Sequence, residues 1–307
     1  MSTAFLTHPD CAAHEMGSHH PESPARLRAI EQALNASGLM SRLQRIEAPA
    51  ASIEQIERAH SSGYVESIEA AAPDSGLTYL DPDTAMNRHT LSAALHAAGA
   101  VVYAVDQVIA GTVSNAFCSV RPPGHHACHG RAMGFCVFNN VAIGALHALE
   151  AHGLERVAII DFDVHHGNGT EDILGDDPRV LMVGSFQHPF YPGSGVNPRG
   201  ANMLNVPLAA GTGSAAFRAM VEQVWVPAID AFGPQLILIS AGFDAHRDDT
   251  LASLALEDED YTWVSQRIVD MAAKHARGRI VSSLEGGYEL AALARCVHRH
   301  IAVLAGV

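Results

Sequence analysis

The chain has 307 residues, 48% of them hydrophobic, which is ample for a buried core and too apolar for a disordered chain. Aspartate and glutamate outnumber lysine and arginine by 33 to 19, a formal net charge of −14; this argues against bare nucleic acid as a partner, because phosphate binding needs a basic surface. Histidine is in surplus, 19 of 307, and it is the commonest metal ligand and acid–base group, so its positions matter.

The N-terminal stretch MSTAFLTHPD has neither the basic nor the long apolar segment of a signal peptide. No run reaches about 18 uninterrupted apolar residues, the span of a membrane. A cytoplasmic protein without membrane contact is expected. The first helical pattern covers residues 24–35, with Ser23 as N-cap, Pro24 in the first turn, and Leu27, Ile30 and Leu34 on one face. A second covers residues 90–109. The first strand-like run, 115–120, leads into RPPGHHACHG; a helix over 140–151 follows. The run 156–162 ends in DFDVHHGNG, and 180–186 is a further strand. After a helical pattern over 214–231, the run 235–240 leads into AGFDAH. A helix over 261–276 precedes the strand 279–284, which ends in EGGY, and a last helix covers 290–304.

Buried parallel strands read as continuous apolar runs because helices cover both faces. The alternation therefore predicts an α/β fold: an open, mostly parallel sheet flanked by helices on both faces. Residues 1–307 contain no low-complexity linker and no repeat, so a single domain is expected. The five cysteines form no CxxC and are odd in number, which reads as reduced thiols rather than a disulfide frame or a thiolate metal site.

The unusual polar residues follow the strands, and parallel sheets bind ligands beyond the carboxyl ends of their strands. In an extended segment alternate side chains share a direction, so Asp163 and His165 reach one point. Asp244, from another strand end, completes a three-ligand set of the kind that holds catalytic zinc with one position open, and Fe(II), Co(II) or Mn(II) also suits such a set. For the DxH spacing alone, a helix cap would be the better explanation; convergence with a second strand-end aspartate and a histidine pair reverses that. His125 and His126 lie in a loop stiffened by two prolines, which suits a general base. Tyr288 follows two glycines that let it approach a substrate, where a phenol can donate to an oxyanion.

RPPGHHA, DFDVHHGNG, SAGFDA and EGGY, in this order, together with HPESPARLRAI and GFCVFNN, resemble the zinc-dependent histone deacetylase family, which has the arginase/deacetylase fold and includes acetylpolyamine amidohydrolases. The resemblance covers nearly the whole chain. It implies one zinc ion on Asp163, His165 and Asp244. It also implies His126 as proton shuttle, His125 as its electrostatic partner, Asp161 orienting His125, Asn168 facing His126, and Tyr288 polarising the acetyl carbonyl. A structural potassium ion would use Asp161, Asp163, the His165 backbone, Ser185 and the Phe186 backbone. Gly134, Phe135 and Tyr191 would line the acyl-lysine tunnel, Leu251 would stand at its mouth, and Arg26 would lie beneath the metal. Asn168 in place of an acid is class II-like, and Tyr191 stands where the family often has Phe.

The implied substrate is an acetylated protein lysine; the alternative is a small acetylated amine such as an acetylpolyamine. Leu251 at the mouth, rather than an acid, disfavours the polyamine, although Asp248 and Asp249 are close by. A two-manganese ureohydrolase would need DxD where this chain has Asp244-Ala245-His246, and a silent binding protein would not need the histidine pair. Histidines outside these motifs, such as His275, His298 and His300, are expected on the surface.

Overall fold

The computed structural model describes residues 2–307. Its strands are β1 (Thr3–Thr7), β2 (Gln44–Glu47), β3 (Thr78–Asp81), β4 (Thr84–Met86), β5 (Asn115–Cys118), β6 (Val157–Asp161), β7 (Val180–Gln187), β8 (Met203–Leu208), β9 (Leu236–Ala241) and β10 (Ile280–Leu284). Its helices are α1 (Pro9–Ala13), α2 (Ala25–Ala36), α3 (Ile53–Glu57), α4 (Ser62–Ala71), α5 (Thr90–Ala110), α6 (Asn140–Glu150), α7 (Asn168–Leu174), α8 (Ser214–Met220), α9 (Val226–Phe232), α10 (Asp258–His275) and α11 (Leu290–Ala305).

Eight strands form one sheet in the order β2-β1-β5-β10-β9-β6-β7-β8, and every pairing in it is parallel. β3 and β4 form a separate antiparallel hairpin. The expected architecture is present, and the five expected strands are β5, β6, β7, β9 and β10. Every residue of these five is buried, which is why they read as unbroken apolar runs. α5 and α6 pack on each other and on β5, β6, β9 and β10, while α2, α10 and α11 pack together and α9 meets β7. α5 is long and apolar enough to cross a membrane, but twelve of its residues are buried inside the fold, from Thr90 through Val108.

Two local expectations change. Pro24, not Ser23, holds the cap position of α2, and no side chain caps that helix; Pro24 already has helical angles, so its fixed φ starts the first turn. The helix expected over 214–231 is α8 and α9 joined by a π-helical turn, Val221–Trp225. Pro227 lacks the N–H that would bond back to Gln223, and the helix widens just before it.

The histidine surplus is also placed differently. His300 is fully buried. Its Nδ1 donates to the Ser265 hydroxyl at 2.6 Å, and its Nε2 accepts from the Ser282 hydroxyl at 3.0 Å. His60 bridges the Cys128 carbonyl and the Asn139 N–H, each at 2.9 Å. These rings are internal connectors between elements, not solvated side chains. Burial pushes His300 down to about 3 and His60 down to about 4, so both fold as neutral rings, while the unfolded chain protonates them near 6.5. Their stabilisation is complete above about pH 6.5 and is lost as pH falls toward 4, at up to ~1.4 kcal/mol per pH unit for each ring. Urea unfolding at a series of pH values should show this slope, and His300→Asn should flatten it by one proton; an unchanged slope would rule the assignment out.

Candidate functional site

The carboxyl ends of β5, β10, β9 and β6, four neighbours in the sheet, deliver the expected groups to one place. Asp163 follows β6 and Asp244 follows β9. His165 Nδ1 stands 3.0 Å from Asp163 Oδ1 and 3.3 Å from Asp244 Oδ2. Three ligands at ~2.1 Å from a tetrahedral ion lie about 3.4 Å apart, so this spacing fits a divalent cation. Asp244 Oδ2 is buried and has no hydrogen-bond partner, whereas Asp244 Oδ1 accepts from the Val164 N–H at 3.0 Å. Asp163 Oδ2 accepts from the Gly286 N–H at 2.8 Å. A Cβ on Gly286 would stand 2.0 Å from Asp244 Oδ2 and 2.6 Å from Asp163 Oδ2, so only glycine lets the β10 turn come this close.

Among the described residues, three other groups of donors lie within the same reach, 4.8 Å, and each is otherwise engaged. The His8 and His96 rings stack face to face, 3.5 Å apart and 7° from parallel, so their in-plane lone pairs do not converge. Arg58 donates to His147 Nδ1 at 2.6 Å, leaving Nε2 to donate to Asp106 at 2.7 Å. Asp258, beside His246 and Cys296, already pairs with Arg295 and Arg299.

The histidine pair stands over the donor set. His125 Nδ1 bonds Asp161 Oδ2 at 3.0 Å. Burial works against its charge, but the carboxylates of Asp163 and Asp161 outweigh that and push it up to about 10. His126 is held well below its ordinary value by burial and by the charge on His125. The two rings are therefore pushed in opposite directions, His125 toward its charged form and His126 toward the neutral one. His126 Nδ1 meets Asn168 Oδ1 at 2.7 Å, while Asn168 Nδ2 faces the sulfurs of Cys128 and Met133, each at 3.4 Å. With the amide donors turned to sulfur, the oxygen accepts, so the proton sits on Nδ1 and Nε2 is free. Burial raises the Tyr288 phenol well above its ordinary value, and the Arg26 guanidinium lies 5.0 Å over its ring.

A narrow cavity of about 190 Å³ descends to these groups, smaller than the ~300–1,000 Å³ of pockets for drug-sized ligands. Gly134, Phe135, Tyr191 and Leu251 line it, with His126, His165 and Tyr288. Phe135 has φ 69, a left-handed angle costly for a bulky residue. The Thr84 hydroxyl accepts the Phe135 N–H at 3.0 Å, and Asp83 Oδ1 accepts that of Gly134 at 3.2 Å. For the expected potassium ligands, Asp161 pairs in register with Gly184, so Ser185 and Phe186 follow immediately on the adjacent strand; both are buried.

Some contributors were not expected. Asp83 and Phe190 also line the cavity; they sit on a hairpin and a loop that apolar periodicity does not reveal. Asp249, anticipated as negative charge at the mouth, is buried and binds backbone N–H groups instead. His166 bonds Glu171 at 3.0 Å and Ser194 at 2.9 Å, tying down the segment that follows Tyr191. The Tyr288 turn is held as well: Arg26 Nε donates to the Gly287 carbonyl at 2.7 Å.

Comparison with known proteins agrees with this geometry. The profile of the histone deacetylase domain matches residues 20–304. "Histone deacetylase 14, chloroplastic" of Arabidopsis thaliana is 40% identical, over 94% of this chain and 73% of its own length. "Histone deacetylase-like amidohydrolase" of Pseudomonas aeruginosa is 37% identical, over 99% and 86%. "Polyamine deacetylase HDAC10" of Mus musculus is 36% identical, over all of this chain and 48% of its own length. The solved structure "Crystal Structure of HDA15 HD domain" superimposes with a TM-score of 0.94 at 34% identity, covering 99% of this chain and 88% of that one. The eight-stranded sheet is accordingly an arginase/deacetylase fold, and the chain belongs to the histone deacetylase family.

Proposed function

We propose that the chain is a zinc-dependent deacetylase that removes acetyl, or another short acyl group, from lysine side chains of proteins. The observation that carries this is a three-donor set, two carboxylates and an imidazole, whose His165 lines a cavity that also presents His126 and the Tyr288 phenol. Asp163, His165 and Asp244 would hold the zinc. Bound there, it supplies a Lewis acid for the acyl oxygen and acidifies a water.

His126 is the base: Asn168 keeps its proton on Nδ1, and Nε2 takes the proton of the water. His125, held toward its charged form by the carboxylates of Asp163 and Asp161, stabilises developing negative charge and restrains His126 from holding its proton. That proton passes to the leaving amine as the amide C–N bond breaks. Tyr288 donates its phenolic hydrogen to the acyl oxygen as charge grows there. In this reading Asp161, Asp163, the His165 backbone, Ser185 and the Phe186 backbone hold a structural potassium ion. Gly134, Phe135 and Tyr191 wall the lysine methylenes, with Leu251 at the rim. Residues 1–307 act as one catalytic domain, and a reducing cytoplasm suits the five free cysteines.

Hydrolysis of a fluorogenic acetyl-lysine peptide, abolished by chelation and restored by zinc, tests the reading; activity indifferent to chelation would overturn it. Apolar Leu251 supports protein lysine over polyamine. A preference for acetylspermidine over the peptide by more than about 100-fold in kcat/KM would transfer the assignment to small amines.

A further inference from the structure

Asp249 lies in the irregular segment after β9, between the exposed Asp248 and Thr250, yet it is only 5% exposed. A carboxylate taken out of water needs compensation. Here it comes from backbone N–H groups on two separate segments. Oδ1 accepts from Leu251 N at 3.0 Å. Oδ2 accepts from Tyr288 N at 2.6 Å and Glu289 N at 3.0 Å. Hydrogen bonds to an ionised acceptor are the strong ones. Glu289 is also the cap of α11, a sixteen-residue helix, so the negative charge sits at the favourable end of a helix dipole.

The placement matters because of what precedes Tyr288. Gly287 has φ +119, an angle open to glycine and closed to most residues. On its own such a turn would leave the phenol free to swing. Arg26 holds the Gly287 carbonyl on one side of Tyr288, and Asp249 holds the two N–H groups that come next. Asp249 also binds the backbone of Leu251, which lines the cavity.

We propose that Asp249 is a positioning residue: one buried carboxylate braces the rim of the cavity against the turn that aims the Tyr288 phenol. The inference rests on the deacetylase reading for the role of Tyr288, but the brace itself is testable without it.

The first measurement uses the unaltered protein. Hydrogen exchange at the Tyr288 and Glu289 amides, which lie outside the sheet and ahead of the first turn of α11, should be slow; exchange at unprotected rates overturns the brace. The second is a double-mutant cycle with Asp249→Asn, which keeps the size but replaces one acceptor oxygen by NH2, and Tyr288→Phe. With the acetyl-lysine peptide, Asp249→Asn should lower kcat about 10²-fold, the scale of an ångström of misplacement, while leaving KM and metal content near their starting values. In the Tyr288→Phe background the same change should cost little, because the hydroxyl it aims is gone. Equal losses in both backgrounds would make Asp249 a fold staple, and a loss confined to KM would limit it to the rim; either result overturns the proposal. If Asp249→Asn does not fold, the exchange measurement decides. If the unaltered protein cleaves no acetyl amide, the functional reading fails while the exchange result stands.

Discussion

Asp163→Asn yields a folded protein that retains no stoichiometric divalent metal and loses amidase activity by about 10³-fold or more, since the attacking water is no longer acidified. The expectation follows from how much converges on this carboxylate. Oδ1 accepts the His165 N–H at 2.8 Å and lies 3.0 Å from the His165 ring nitrogen, the spacing of two ligands of one ion, and Oδ2 accepts the Gly286 N–H. An asparagine keeps the volume but must turn an NH2 toward one of these donors. Metal analysis by mass spectrometry alongside the peptide assay checks it. His152→Ala, which breaks the Asp106 group, serves as the control and leaves both readouts unchanged. A full equivalent of metal in Asp163→Asn, with loss in the control, would relocate the metal centre.

Tyr288→Phe behaves in the opposite way: metal stays, and kcat falls by about 10²–10³-fold, the scale of losing one oxyanion donor. The phenol is suited to donate because burial holds it protonated throughout the neutral range. The cationic face of Arg26 against the ring further polarises the O–H. KM should change little, since the bond strengthens only as charge develops on the acyl oxygen. Steady-state kinetics with metal content measured on the same sample separates the cases; full activity in Tyr288→Phe would remove the residue from the chemistry.

The central fold was legible because its strands are buried on both faces, which writes their positions as unbroken apolar runs. β2 and β8, the two edges of the sheet, escaped for the converse reason. Gln44–Glu47 is almost wholly polar and largely exposed. Met203–Leu208 carries Asn205 and Pro207, residues that an edge tolerates and a central strand does not. β1 is buried, but Thr3–Thr7 holds only three apolar residues in a row, too few to stand out. At the site, Asp163, His165, Asp244 and the histidine pair were readable because each directly follows a readable strand. Asp83, Phe190 and Asp249 were not. They act from a hairpin and from loops, and Asp83 and Asp249 do so by binding main-chain N–H groups, which leaves no periodic trace. The role of His300 was misjudged because a lone histidine on a helix gives no sign of the serines that meet it from Ser282 and Ser265.

The sheet order carries one more consequence. β10 comes last of these eight strands in chain order, yet it stands fourth in the sheet, between β5 and β9. Without β10, β5 and β9 would each keep an unpaired edge, the kind of edge that invites wrong partners. The other seven strands therefore cannot form the finished sheet without leaving a slot for β10. The insertion that fills this slot also brings Gly286 and Tyr288 against Asp163 and Asp244. Closure of the sheet and completion of the site thus depend on the same strand, and a chain truncated ahead of β10 should be both inactive and prone to aggregate.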